Sequence, residues 1–74
     1  MLLYYLEVSV REVGLVTVIV VATDDEQAFR HARNQVEKSL LAMPVIEEVA
    51  IVDKSHLREG VGYVLRGGDL TEIV

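Results

Sequence analysis

Residues 15–22 read LVTVIVVA, and this run limits the possible folds more than any other. In an extended strand, successive side chains point to opposite faces. Val16, Val18, Val20 and Ala22 therefore share one face, and Leu15, Thr17, Ile19 and Val21 share the other. Both faces are apolar, and strands of that kind normally lie centrally or in sheets covered on both sides. The chain has only 74 residues with which to cover them. A domain this small is marginal unless disulfides, a structural metal or oligomerisation reinforces it. There is no cysteine, which removes disulfides, iron–sulfur clusters and thiolate zinc sites and agrees with a cytoplasmic setting. With two histidines, any metal site would rest largely on carboxylates. Oligomerisation is the reinforcement that remains.

Composition narrows the class further. The hydrophobic fraction of 51% is too high for disorder at a net charge of -5. The opening MLLYYLEVSVRE has no basic leader and reaches a charge at Glu7, so no secretion signal is expected. The apolar stretch from Val13 to Ala22 is far short of the ~20 residues that span a bilayer. One soluble, cytoplasmic domain covering residues 1–74 is the expectation. The acidic balance argues against nucleic acid as the main partner, because phosphate neutralisation supplies most of that affinity.

Periodicity then orders the elements. Tyr4, Leu6, Val8 and Val10 alternate with Tyr5, Glu7, Ser9 and Arg11, a half-buried strand. A turn at Glu12-Val13-Gly14 leads back into LVTVIVVA as the second arm of a hairpin. At Thr23 the period changes. TDDE matches a capping box with Thr23 and Glu26, while Asp24 with Gln27 fits nearly as well. From there DDEQAFRHARNQVEKSLLAM reads as a helix ended by Pro44. Its apolar stripe is Phe29, Ala32, Val36, Leu40 and Met43, with Ala28 beside it. EEVAIVDKS follows as a third strand, with Val49 and Ile51 on one face and Glu48, Ala50 and Val52 on the other. After a turn at Arg58-Glu59-Gly60, VGYVLR reads as a fourth strand, and DLTEIV as a fifth strand or a frayed tail. The expected class is α+β: a four-stranded, mainly antiparallel sheet (ββαββ) with one helix on one face. A split β-α-β arrangement, with the first strand between the second and third, makes every neighbour antiparallel. Which face of LVTVIVVA meets the helix is left open by the sequence.

Motifs that carry chemistry are sparse. GVGYVLRGG has the glycines of a phosphate loop, but no helix follows and the Walker lysine is missing. Turn and bulge glycines explain it better. His31 has no second ligand at helical spacing. Ser55 and His56 are adjacent in a strand and so face opposite ways, which prevents a nucleophile–base pair. Asp24-Asp25-Glu26 is accounted for by capping, and Glu47-Glu48 by a strand entrance. Tyr4, Tyr5 and Tyr63 lack the basic neighbours of a base-stacking platform and suit packing or an interface instead. No catalytic residue, metal site or cofactor is expected.

The landmarks in order, LYYLEVSVRE, VVATDDEQAFRHA, a single proline closing the helix, and EGVGYVL, together resemble a small uncharacterised family of bacterial proteins of about this length. That family is a domain of unknown function found mostly in Bacillus-type bacteria. The resemblance covers nearly the whole chain. It implies a bacterial cytosolic setting, and its motifs are structural ones: strand, cap and glycine turn.

Three functions follow as expectations. The first is a non-enzymatic, self-associating interaction or regulatory module, a homodimer or higher homo-oligomer. Its self-association face would be Leu15, Thr17, Ile19 and Val21, packed against the same face of another copy, with edge-to-edge extension through an outer strand as the other way to pair. The second is a small-molecule-binding sensor with a site at the sheet or subunit interface, lined by Glu7, Ser9, Arg11 and Thr17. The third is a weak nucleic-acid binder using a polar patch of Lys54, His56, Arg58 and Arg66.

Overall fold

The computed structural model of the chain describes residues 1–40 and 44–64. Strand β1 (Leu2–Val10) turns into β2 (Gly14–Ala22), helix α1 (Asp25–Ser39) follows, and β3 (Ile46–His56) completes a three-stranded sheet. The strand order is β2-β1-β3, and both neighbours of β1 run antiparallel to it. The class is α+β, and β1 is central as the split arrangement requires.

The hairpin closes where the sequence asks for it. Val13 donates to the Val10 carbonyl at 3.2 Å, and Gly14 enters β2 at φ 98, a conformation that side chains with a Cβ rarely adopt. From there β1 and β2 pair in unbroken register, from Val10 opposite Gly14 to Leu2 opposite Ala22. The pairing of β1 with β3 is less regular. Its register shifts between Tyr5 and Leu6 and again between Ser9 and Val10.

Helix α1 resolves both choices that periodicity left open. Asp24 is the cap: extended itself, it accepts from the Gln27 amide at 2.9 Å. The face of β2 that meets the helix is that of Val16, Val18, Val20 and Ala22. With Tyr4, Leu6, Val8 and Val10 from β1, these residues enclose Ala28, Ala32 and Val36, while Phe29 and Leu40 pack at the margin. Val49 and Ile51 of β3 close the same layer. Three of the helix's contact residues are as small as alanine or valine, so the helix lies close on the sheet.

Two expectations need correcting. The helix does not run to Pro44. It ends at Ser39, where Leu40 turns extended (φ -99, ψ 138) and its amide closes the last turn on the Val36 carbonyl. Met43 lies outside the described residues. The fourth strand is also absent among the described residues, so the sheet has three strands rather than four. After the turn in which Val61 donates to the Arg58 carbonyl, residues 61–64 carry no strand. Tyr63 stacks on Tyr5, with ring centroids 5.4 Å apart. Since Tyr5 belongs to the central strand, a segment touching it lies over the open face of the sheet and not along its edge. Leu65, Arg66 and the DLTEIV stretch lie outside the described residues.

A polar tie fixes the N-terminal end of α1 to the sheet. The buried Tyr4 hydroxyl donates to Asp25 Oδ1 at 2.8 Å, and Lys54, opposite Tyr4 on β3, donates to the same oxygen at 3.0 Å. Burial, and then the hydrogen bond to Asp25, push the Tyr4 phenol up to about 12. The Tyr4 hydrogen bond, and then that from Lys54, hold the Asp25 carboxyl below its ordinary value against its own desolvation.

Replacing fully buried Leu6 by alanine is expected to destabilise the domain by about 2–5 kcal/mol in urea titration. Val52→Ala, on the exposed part of β3, is expected to stay within about 0.5 kcal/mol. The polar tie predicts a pH dependence at both ends of the scale. Tyr4 has a folded value near 12 against an ordinary 10.0, so its contribution is complete below the ordinary value and is lost as pH rises through the folded one. Asp25 is lowered, so its contribution is present above the ordinary carboxylate range and is lost as pH falls through its folded value. Denaturation midpoints measured across pH should show the alkaline loss in the parent chain, and Tyr4→Phe should remove that component.

Candidate functional site

The structure places the doubly apolar strand at the margin of the sheet. β2 pairs with β1 on one side only, and among the described residues no strand lies on its other side. Its helix-side residues are largely covered, but Leu15, Ile19 and Val21 on the open face are 39%, 40% and 40% exposed. Thr17 is half-buried between them. These four residues share a face, as expected from the sequence. Tyr5, on the same face of β1, is 1% exposed. The alternation that assigned it to the polar side was right about direction and wrong about burial. The missing signal was Tyr63, 58 residues further along the chain, which covers it. The Tyr63 hydroxyl is itself out of solvent and has no hydrogen-bond partner among the described residues.

Beside β2, between the strand and the C-terminal half of α1, runs a groove of about 280 Å³. Val16, Val18, Val36 and Leu40 form its apolar floor, with Gln35 and Ser39 on its rim. A second, more open depression adjoins it toward Val21 and His31. The groove needed the tertiary structure to be seen, because its walls come from two elements whose apolar stripes the sequence assigned to each other's cover. The helix leaves this flank of β2 open.

The polar residues proposed for a ligand site are only partly brought together. Glu7 is directly opposite Thr17, and Ser9 is opposite Leu15. Arg11 is not with them: it sits beyond the end of β1 in the turn and pairs with Glu47 at 3.3 Å. The same turn is pinned to the start of β3 by Arg11 donating to the Val45 carbonyl at 3.0 Å and by Val45 donating to Glu12 at 3.3 Å. Arg11 thus serves the fold.

The basic patch is similarly divided. Lys54 and His56 are alternate residues of β3, opposite Tyr4 and Leu2 on the helix side. Lys54 is engaged by Asp25. Arg58 is exposed in the loop that follows, and Arg66 lies outside the described residues. His31 is exposed on α1 at the rim of the second depression. Among the described residues no three histidine, aspartate or glutamate side chains converge as a metal site would require, and no helix is long and apolar enough to cross a membrane.

No curated protein and no solved structure matches the chain. Residues 1–65 match the family described as "Protein of unknown function (DUF3906)". The match takes in all three strands, the helix and the turn at Gly60, so the chain as a whole belongs to the DUF3906 family.

Proposed function

We propose that this protein is a non-enzymatic, self-associating module of the bacterial cytoplasm that acts through protein interaction or regulation. The observation that carries this reading is that β2, apolar on both faces, stands at the edge of the sheet with Leu15, Ile19 and Val21 uncovered. An apolar edge strand is a template for pairing with another chain. Setting apolar side chains of β2 beside those of a second copy stabilises by about 25 cal/mol per Å² removed from water. A 74-residue chain without cysteine has few other ways to gain that stability. A twofold contact would use the same patch on both subunits.

A second reading, a small-molecule sensor, is supported by the groove beside β2. Its volume of about 280 Å³ is close to the lower end of ligand pockets, roughly 300 Å³. Its lining combines apolar Val16, Val18, Ile19, Val36 and Leu40 with polar Thr17, Gln35 and Ser39, which suits a small molecule with both apolar and hydrogen-bonding groups. The groove adjoins the exposed strand, so a ligand there would lie at the margin of any subunit interface.

Light scattering coupled to size exclusion, from low to high micromolar concentration, separates the alternatives. The expected result is a mass of at least twice the 8.3 kDa chain, with dissociation on dilution. A monomer at every concentration would refute the self-association reading and leave the sensor reading standing.

A further inference from the structure

Resting on the self-association proposed above, we propose how the copies join. β2 pairs with β2 of a second copy, antiparallel and edge to edge, about a twofold axis at Val18, so that two three-stranded sheets become one of six strands. Packing open face on open face, the arrangement that the sequence suggests first, is not the joint.

The two edges of the sheet differ in the way this requires. Proteins protect an edge strand with charges, prolines, bulges or shortness. β3 carries such protection: Glu47, Glu48, Asp53 and Lys54 lie along it, and its pairing with β1 is broken by two register shifts. β2 carries none. It is nine residues long, has no charge and no proline, and pairs with β1 without a break. The open face, by contrast, is already partly occupied, because Tyr63 lies over Tyr5 at its centre.

A second copy of β2 is the occupant that fits. A twofold antiparallel pair places residues of like face opposite one another, and centring it on Val18 engages all nine residues of Gly14–Ala22. Val16 then meets Val20 of the second copy, and Leu15 meets Val21, so each of these cross-strand pairs is apolar. The twofold axis stands perpendicular to the sheet and keeps both helices on one face. Each helix packs mainly over its own β2, so the two helices would face each other across the joint. The helix residues that line the groove and the depression beside it are His31, Gln35, Val36, Ser39 and Leu40, with no carboxylate, lysine or arginine among them. Two identical charged flanks would repel across such an axis, whereas these two can close the groove between them.

Hydrogen exchange on the unmodified chain tests the joint, read at the backbone amides of β2 in dilute and concentrated solution. The expected result is that outward-facing amides of β2 slow by roughly tenfold or more on concentration, while those of β3 do not change. Disulfide trapping gives the register, since the chain has no cysteine of its own. Val18→Cys places two thiols directly opposite, about 4.5–5.5 Å between Cα atoms, within the disulfide range. It should form a covalent dimer on mild oxidation. Ile19→Cys stands two residues out of line with its own copy and should not. A chain that self-associates by light scattering, yet shows unchanged β2 exchange and links through Ile19→Cys, would overturn the edge joint and leave self-association intact. A monomer at all concentrations would overturn both. Protection of β2 that is equal at every concentration would mean an edge satisfied within one chain, and would also overturn the proposal.

Discussion

The structure hangs on the pairing of β1, the central strand, with a neighbour on each side. Because β1 is sandwiched, every one of its alternate residues Tyr4, Leu6, Val8 and Val10 can be buried on the helix side, and that row is the floor on which α1 rests. The unbroken register with β2 aligns a second apolar row, Val16, Val18, Val20 and Ala22, beside the first. Small residues on the helix, Ala28 and Ala32, let it settle onto both rows. At the helix's other boundary the Tyr4 hydroxyl turns one of those core residues into an anchor for Asp25 and Lys54. One strand thereby carries both the apolar layer and the polar tie that orients it.

A single helix of fifteen residues cannot cover a three-stranded sheet on both sides, and the chain distributes the shortfall unevenly. Charge and register shifts are concentrated on β3, and the segment after Gly60 brings Tyr63 over the centre of the open face. β2 carries neither a charge nor a register shift. Its apolar side chains and the groove under the C-terminal half of α1 lie at one margin of the sheet. Membership of the DUF3906 family adds no chemistry to this picture, and among the described residues no three histidine, aspartate or glutamate side chains converge as a metal site would require. Under the proposed reading, that surface is where another chain or a small molecule would bind.

Much of the fold was legible because the signals are periodic. The period of two in residues 4–10, the period of three and four in residues 28–40, and the glycine at position 14 each correspond to an observed element. Where two local solutions were nearly equal in energy the sequence could not choose, as with Thr23 or Asp24 for the cap. The helix end was misplaced because Pro44 marks only the last residue at which a helix must stop. The fourth strand was misread because Val61 to Val64 has strand composition but no ladder partner. The candidate site was legible in part: Leu15, Thr17, Ile19 and Val21 do share a face, whereas Arg11 and Lys54 turned out to be tied to Glu47 and Asp25.

By itself, the sequence determined the element types as far as His56, the one-helix α+β class, the hairpin and its turn, and the presence of an apolar face that one helix could not serve. These follow from local sterics and side-chain periodicity, which act over a few residues. Only the tertiary structure decided that β2 is an edge strand, that its even-numbered face meets α1, and that Tyr5 is buried under Tyr63. Each of those depends on which distant segments meet. A strand's own residues fix which side chains share a face, but its place in the sheet is set by partners that local pattern does not name.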